Sequence, residues 1–244
     1  MTDLLELRGV WAGYGGGDVL RDLSIAVPEG GITCVVGPNG AGKSTILRVV
    51  SGQLRPRRGS VLFDGRDIAG RSPRQILGLG IVQVAQDHTL FPDMTVRENV
   101  ELGGFLLRDR GEVARRLEQL TALFPIVRER ARDKAGSLSG GQQRLVEFAR
   151  CLMLEPRLVV LDEPSMGLDP KTLRLVLRQV RAMREAGRTV LLVEQNVRAG
   201  LALATHAVVV ESGRVRLEGP GSELRENSEI GNLYLGGGTA TVGH

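Results

Sequence analysis

The run Gly37-Pro38-Asn39-Gly40-Ala41-Gly42-Lys43-Ser44-Thr45 constrains this chain more than any other stretch, because the spacing G-x-x-x-x-G-K-[ST] comes with the flanks that give it meaning. Before it stands Ile32-Thr33-Cys34-Val35-Val36, a near-continuous apolar run of the kind found in strands buried on both faces. After it, Ile46-Leu47-Arg48-Val49-Val50 reads as a helix. Glycines between a strand and a helix let backbone N–H groups converge on phosphate oxygens at the helix N-terminus, where the dipole favours anions. In that geometry Lys43 reaches the outer phosphates and the Ser44 hydroxyl ligates Mg²⁺. The competing reading is a plain glycine turn. The only lysines in the chain are Lys43, Lys134 and Lys171, which makes a chance Gly-Lys-Ser-Thr a poor explanation.

Composition narrows the class. The 244 residues are 42% hydrophobic and 25% charged, enough for a sizeable core. A formal charge of +4 comes almost wholly from arginine, with no dense basic run interleaved with aromatics, so nucleic acid is not an expected partner. With 1 Trp, 2 Tyr and 5 Phe, base-stacking platforms are scarce. The arginine excess reads as solvated surface. No apolar run approaches a membrane span, and Met1-Thr2-Asp3-Leu4-Leu5-Glu6 lacks the pattern of a signal peptide. Cys34 and Cys151 sit in apolar stretches and read as core thiols of an intracellular, reduced protein.

Along the chain, Leu4-Leu5-Glu6-Leu7 and Leu23-Ser24-Ile25-Ala26-Val27 read as strands of a small antiparallel sheet, with Val61-Leu62-Phe63-Asp64-Gly65 a further hairpin strand and Ile81-Val82-Gln83-Val84 another. From Val96 to about Leu154 helical periodicity takes over, with Val113, Leu117, Leu120 and Phe124 on one face. Strand and helix then alternate again: Leu158-Val159-Val160-Leu161, a helix with Leu173, Val176, Val180 and Met183 inward, Thr189-Val190-Leu191-Leu192-Val193, and Ala207-Val208-Val209-Val210 turned by Ser212-Gly213 into Val215-Arg216-Leu217. The tail after Gly219 is expected to fray. The pattern is an α/β core with a helical insertion, not two domains in series.

Two further motifs carry chemistry. The strand 158–161 ends in Asp162-Glu163; strand ends of parallel α/β sheets open onto a ligand crevice, so Asp162 is a candidate to hold Mg²⁺ and Glu163 to orient and deprotonate an attacking water. Alone, such an end is a common surface feature. Leu138-Ser139-Gly140-Gly141-Gln142 stands just before a helix, where Ser139 can cap and the glycines leave amides bare for a phosphate.

Taken together, these three motifs resemble those of the ATP-binding-cassette (ABC) ATPases, and the resemblance spans residues 4 to 235. It implies a P-loop NTPase core of mostly parallel sheet with an antiparallel β-subdomain and an α-helical insertion: one domain over 1–235, with a core lobe at about 1–86 and 156–220, a helical subdomain at about 87–155, and a flexible tail at 236–244. It implies ATP and Mg²⁺ as cofactors, bound by residues 37–45, with the 138–142 signature of one subunit closing over ATP held by the other in a head-to-tail pair. Tyr14 lies where the family stacks an aromatic on adenine. Gln86 matches the Q-loop, a hinge that also touches Mg²⁺, while strand alternation makes Gln83 a sheet residue. Ser165-Met166-Gly167-Leu168-Asp169-Pro170 resembles the D-loop, with Asp169 facing the opposite subunit. Phe91-Pro92 and Thr95-Val96-Arg97-Glu98-Asn99-Val100 match the entry to the helical subdomain; the apolar loop holding Phe91 and Met94 would receive a short helix from a membrane permease, the alternative being an internal packing loop.

One position departs from the pattern. Where most relatives carry a histidine on the γ-phosphate, Val193-Glu194-Gln195-Asn196 puts Gln195, which can donate a hydrogen bond but cannot become a cation. His206 lies too far along to replace it and reads as a surface residue. Val-Glu-Gln-Asn and the ending Leu233-Tyr234-Leu235-Gly236-Gly237 are similar to the F-type ATPase subunits of branched-chain amino acid importers, whereas Ala85-Gln86-Asp87-His88 and Asp169 differ from them. The resemblance therefore implies a peripheral ATPase subunit on the cytoplasmic face of the membrane, powering permease subunits served indirectly by a solute-binding protein. The alternatives are an importer of another solute such as urea or amides, an exporter, a soluble ABC protein not tied to transport, and a nucleotide binder without turnover.

Overall fold

The computed structural model describes residues 2–86, 89–228 and 230. Among these residues the strands form two sheets. The first is antiparallel, in the order β2-β1-β4-β5, from β1 (Asp3–Ala12), β2 (Leu20–Pro28), β4 (Arg58–Phe63) and β5 (Arg66–Asp67). The second runs β10-β9-β3-β8-β7-β6, from β3 (Ile32–Val36), β6 (Ile81–Val84), β7 (Leu158–Asp162), β8 (Thr189–Glu194), β9 (His206–Glu211) and β10 (Arg214–Pro220). All its pairings are parallel except the β9–β10 hairpin.

The continuous apolar runs have the explanation expected of them. In β3, Ile32, Cys34 and Val36 face one core cluster while Val35 faces the other, so both faces of the strand are covered. One cluster packs the parallel sheet against α6 (Gly140–Leu152), α7 (Pro170–Glu185) and α8 (Val197–Leu203). The other packs it against α1 (Lys43–Val50) and the antiparallel sheet. Burial pushes both thiols up, Cys151 to about 12, which leaves them as packing groups.

Between β6 and β7 lie α3 (Val96–Leu102), α4 (Arg110–Leu123), α5 (Ile126–Glu129) and α6, after α2 (Pro73–Gly78) earlier in the chain. Their starts are written locally. Thr95 and Glu98 form a capping box on α3, and Asp109 accepts from Gly111 N at the start of α4. Leu117, Leu120 and Phe124 are buried together as the periodicity requires, with Val113 packed against them.

Two expectations change. Leu173 is only half-buried; Leu175 and Leu177 of α7 pack on the core instead. Directly after Gly219 the chain is helical: α9 (Gly221–Glu226) forms, Leu224 is buried, and a Cβ at Gly221 would lie 2.4 Å from the Ala204 carbonyl oxygen. His206 opens β9, half-buried and paired with Thr33 and Pro220, outside the Glu163 cavity. The 233–237 ending, the 236–244 tail, and Asp87 and His88 lie outside the described residues.

Candidate active site

Close backbone packing shapes the 37–45 loop. A Cβ on Gly37 would sit 2.1 Å from the Val210 carbonyl oxygen, and one on Gly42 would sit 2.7 Å from Leu20 Cδ2, so side chains are excluded at both. Gly42 also takes φ 106 as the N-cap of α1 and offers no capping side chain, which leaves the helix's first amides to a ligand. Lys43 is 5% exposed, and its Nζ donates to Gly37 O (2.9 Å) and Pro38 O (3.1 Å), fixing a cation inside the loop. Pro38, Asn39, Gly40 and Ser44 are exposed along the rim, whereas Ala41 and Thr45 are buried beneath it.

Strand order assembles the rest. Because β8 lies between β3 and β7, Val36 pairs with Glu194 and Asp162 with Val193, so three strand ends meet at one sheet edge. Asp162 Oδ1 is buried with no hydrogen-bond partner, and its pKa is raised, first by burial and then by Glu163, against the pull of Arg48 and Lys43. A buried carboxylate oxygen without a proton donor suits a cation, so the residues present fit Mg²⁺. Glu163 is a non-glycine residue in left-handed backbone (φ 44), with its N–H on Val193 O (3.0 Å). Such a conformation costs roughly 1–2 kcal/mol and breaks the strand's alternation. Glu163 lines a cavity with Ser165, Met166, Glu194, Gln195 and Asn196.

Gln195 is exposed at that cavity. Gln86 Nε2 donates to Met166 Sδ (3.0 Å), bringing the Q-loop residue to the wall of the same cavity. Gln83, by contrast, sits in β6 opposite Val160. Tyr14 is 47% exposed; its hydroxyl accepts from Arg48 Nη1 (3.1 Å), and the Arg48 guanidinium lies 5.5 Å from the ring centroid, so α1 holds the aromatic beside the loop.

The signature lies elsewhere in the chain's own fold. Ser139 caps α6 in a capping box with Gln142. Among the described residues no hydrogen bond or ion pair joins residues 138–142 to the 37–45 loop. Leu138 puts its side chain in the core, leaving only backbone for any ligand. Gly141 is buried, and a Cβ there would lie 2.1 Å from Thr172 Cγ2, so close packing of α6 on α7 demands this glycine, not bare amides alone. Asp169 caps α7 by accepting from Lys171 N (2.9 Å) and Thr172 N (3.2 Å), and its bonds to Thr172 lower its pKa.

One residue escaped the sequence reading. Glu194 is 1% exposed, its Oε1 accepts from Ser165 N (3.0 Å) and its Oε2 from Ser165 Oγ (2.6 Å). Burial, opposed by the Ser165 bonds and reinforced by Glu163, pushes it up to about 7. Its signal was an apolar strand running into a carboxylate, the same pattern that singled out Asp162.

Comparison with known proteins follows the same lines. The family model described as ABC transporter matches residues 20–166. A high-affinity branched-chain amino acid transport ATP-binding protein, BraG of Pseudomonas aeruginosa, is 37% identical over 96% of this chain and 100% of its own. An ATP-binding cassette of an ABC transporter in its ADP conformation superposes with a TM-score of 0.88 at 27% identity, covering 97% of this chain and 100% of that one. A dimeric ATP-binding cassette in a post-hydrolysis state bound to ADP and Pi gives a TM-score of 0.77 at 27% identity, over 88% of this chain and 98% of the other.

Proposed function

The chain belongs to the ABC transporter family of ATP-binding proteins, and from that premise we propose that it is the ATP-hydrolysing subunit of a branched-chain amino acid importer. The observation that carries the chemistry is the meeting, at one sheet edge, of a lysine-filled phosphate loop, a buried unpartnered Asp162 oxygen and the Glu163 cavity. The 37–45 loop binds the phosphates through its amides and Lys43, and Tyr14 takes the adenine. Ser44, Asp162 and Gln86 would hold Mg²⁺, which when bound neutralises phosphate charge. Glu163 accepts the proton of the attacking water, and Gln195 donates a hydrogen bond to the γ-phosphate. The second subunit supplies residues 138–142 to the phosphate and Asp169 to the interface, which fits a signature that, among the described residues, makes no hydrogen bond or ion pair to this chain's own loop.

The reading takes residues 1–235 as one domain, with a core lobe at about 1–86 and 156–220 and a helical subdomain at about 87–155. It places the chain on the cytoplasmic face of the membrane against permease subunits, served indirectly by a solute-binding protein. Among the described residues no helix is long and apolar enough to cross a membrane. Phe91, 50% exposed, is the proposed anchor for the permease, on a loop fixed by the buried Asn99 through bonds to Phe91 N and O. The branched-chain solute rests on the likeness to BraG. The test is ATP-dependent uptake of labelled leucine by the reconstituted transporter, with urea and amides as competing solutes. Loss of uptake with Lys43→Ala supports the reading, and uptake of urea without leucine sinks the solute.

A further inference from the structure

Just past the signature, α6 carries a buried ion pair. Arg144 is 4% exposed and Glu147 0%, with Arg144 Nη1 3.0 Å from Glu147 Oε2. The pair grips the Q-loop from both sides. The Arg144 fork donates to Ala85 O (2.7 Å) and Gln86 O (2.6 Å), while Glu147 Oε1 accepts from Thr89 N (2.6 Å). Two turns after Arg144, Arg150 Nη1 donates to Thr89 O (2.9 Å). Three side chains at steps of three along one helix face thus hold the backbone on both sides of Gln86.

Stability alone is a poor reason for such a pair, since desolvating two charges offsets most of their attraction, and apolar replacements often do as well. The fork geometry has a better one. A loop leaving β6 has carbonyls and an N–H with no ladder to satisfy them, and a planar guanidinium answers two carbonyls at once where an ammonium cannot. The helix that supplies it also carries Ser139 and Gly140 at its N-terminus.

We propose that Arg144 and Glu147 are positioning residues that lock Gln86 to the signature helix, so that the Gln86 amide reaching Met166 and the 138–142 turn move as one body. The inference rests on the reading of Gln86 as a site residue. It adds the physical link by which a shift of the Q-loop reaches the phosphate-facing end of α6.

Two conservative variants test it. Arg144→Lys keeps the charge and loses the fork; Glu147→Gln keeps the shape and loses the charge. Both should speed hydrogen exchange at the Thr89 amide about tenfold or more in the nucleotide-free protein. Arg144→Lys should lower kcat about five- to twentyfold with KM for ATP within about twofold, and should add nothing when Gln86 is already Ala. Wild-type exchange at Thr89 in both variants overturns the brace, as does a kcat loss that multiplies with Gln86→Ala. If wild-type protein releases no phosphate, the ATPase reading falls by itself, and the exchange rates still decide the brace.

Discussion

Glu147 and Glu194 are both buried glutamates, and what faces them differs. Glu147 has the Arg144 guanidinium at 3.0 Å and a backbone N–H. Glu194 is hydrogen-bonded by Ser165 and by the Asn196 backbone, the charged group acting on it is the Glu163 carboxyl, and it in turn raises the buried Cys34 thiol. The chain therefore places an internal cation where a loop needs shaping. It places no cation among the groups acting on Glu194, which lines the cavity it shares with Glu163. The first carboxylate is a fixture of the fold, and the second is set by the site's chemistry.

The largest expected effect tests the floor. Glu163→Gln should retain ATP affinity and lose roughly 10²–10⁴ in turnover, accumulating an ATP-bound dimer. Lys43→Ala should lose binding and turnover together. Steady-state phosphate release and nucleotide titration separate the two, and unchanged turnover in Glu163→Gln would reassign the base.

Removing charge from the two regions should have opposite signs. Arg144→Met removes the cation 3.0 Å from the buried Glu147 carboxylate and should cost about 3–5 kcal/mol in urea unfolding. Glu194→Gln removes a charge that burial disfavours and should stabilise the protein at pH 8, by about 1–3 kcal/mol. Equal signs would mean that the two sites are electrostatically alike.

The pH dependence sharpens the same contrast. Glu194 titrates near 7 in the folded chain against an ordinary value of 4.5. Between those limits the folded state holds a proton that the unfolded state has released, so its contribution is full below about pH 4.5 and is lost as pH rises through 7. The total is about 3 kcal/mol. The slope should flatten in Glu194→Gln, as read from unfolding curves at pH 5, 6, 7 and 8.

What the sequence made legible follows from where its information is local. The β3 loop and the β7 end each declare themselves within a dozen residues, as an apolar run followed by the groups that do the work. Glu194 obeys the same pattern, but its meaning depends on β8 lying between β3 and β7, and the order of parallel strands is not written in any one segment. Arg144 and Glu147 were invisible for a different reason. Polar residues three apart on a helix read as a solvated face, and only the path of the Q-loop over α6 turns that face inward. Gly141 was recognised for part of its cause only, since Thr172 of α7 also excludes a side chain there.

The smallest expected effect falls on Glu194's neighbour. Gln195 is exposed at the cavity that Glu194 lines from within, so its replacement should leave stability unchanged and touch only the chemistry. As a single neutral donor it contributes about 0.5–1.5 kcal/mol, which is a roughly three- to tenfold loss of kcat in Gln195→Ala. Gln195→His restores a donor at the same place and adds a group that can carry charge, so its turnover should match or exceed wild type, and more so as pH falls toward 6. Phosphate release across that pH range, alongside melting curves for both variants, makes the comparison. A lower melting temperature in Gln195→Ala would mean that the residue supports the fold, and equal turnover in all three proteins would show that it does not reach the phosphate.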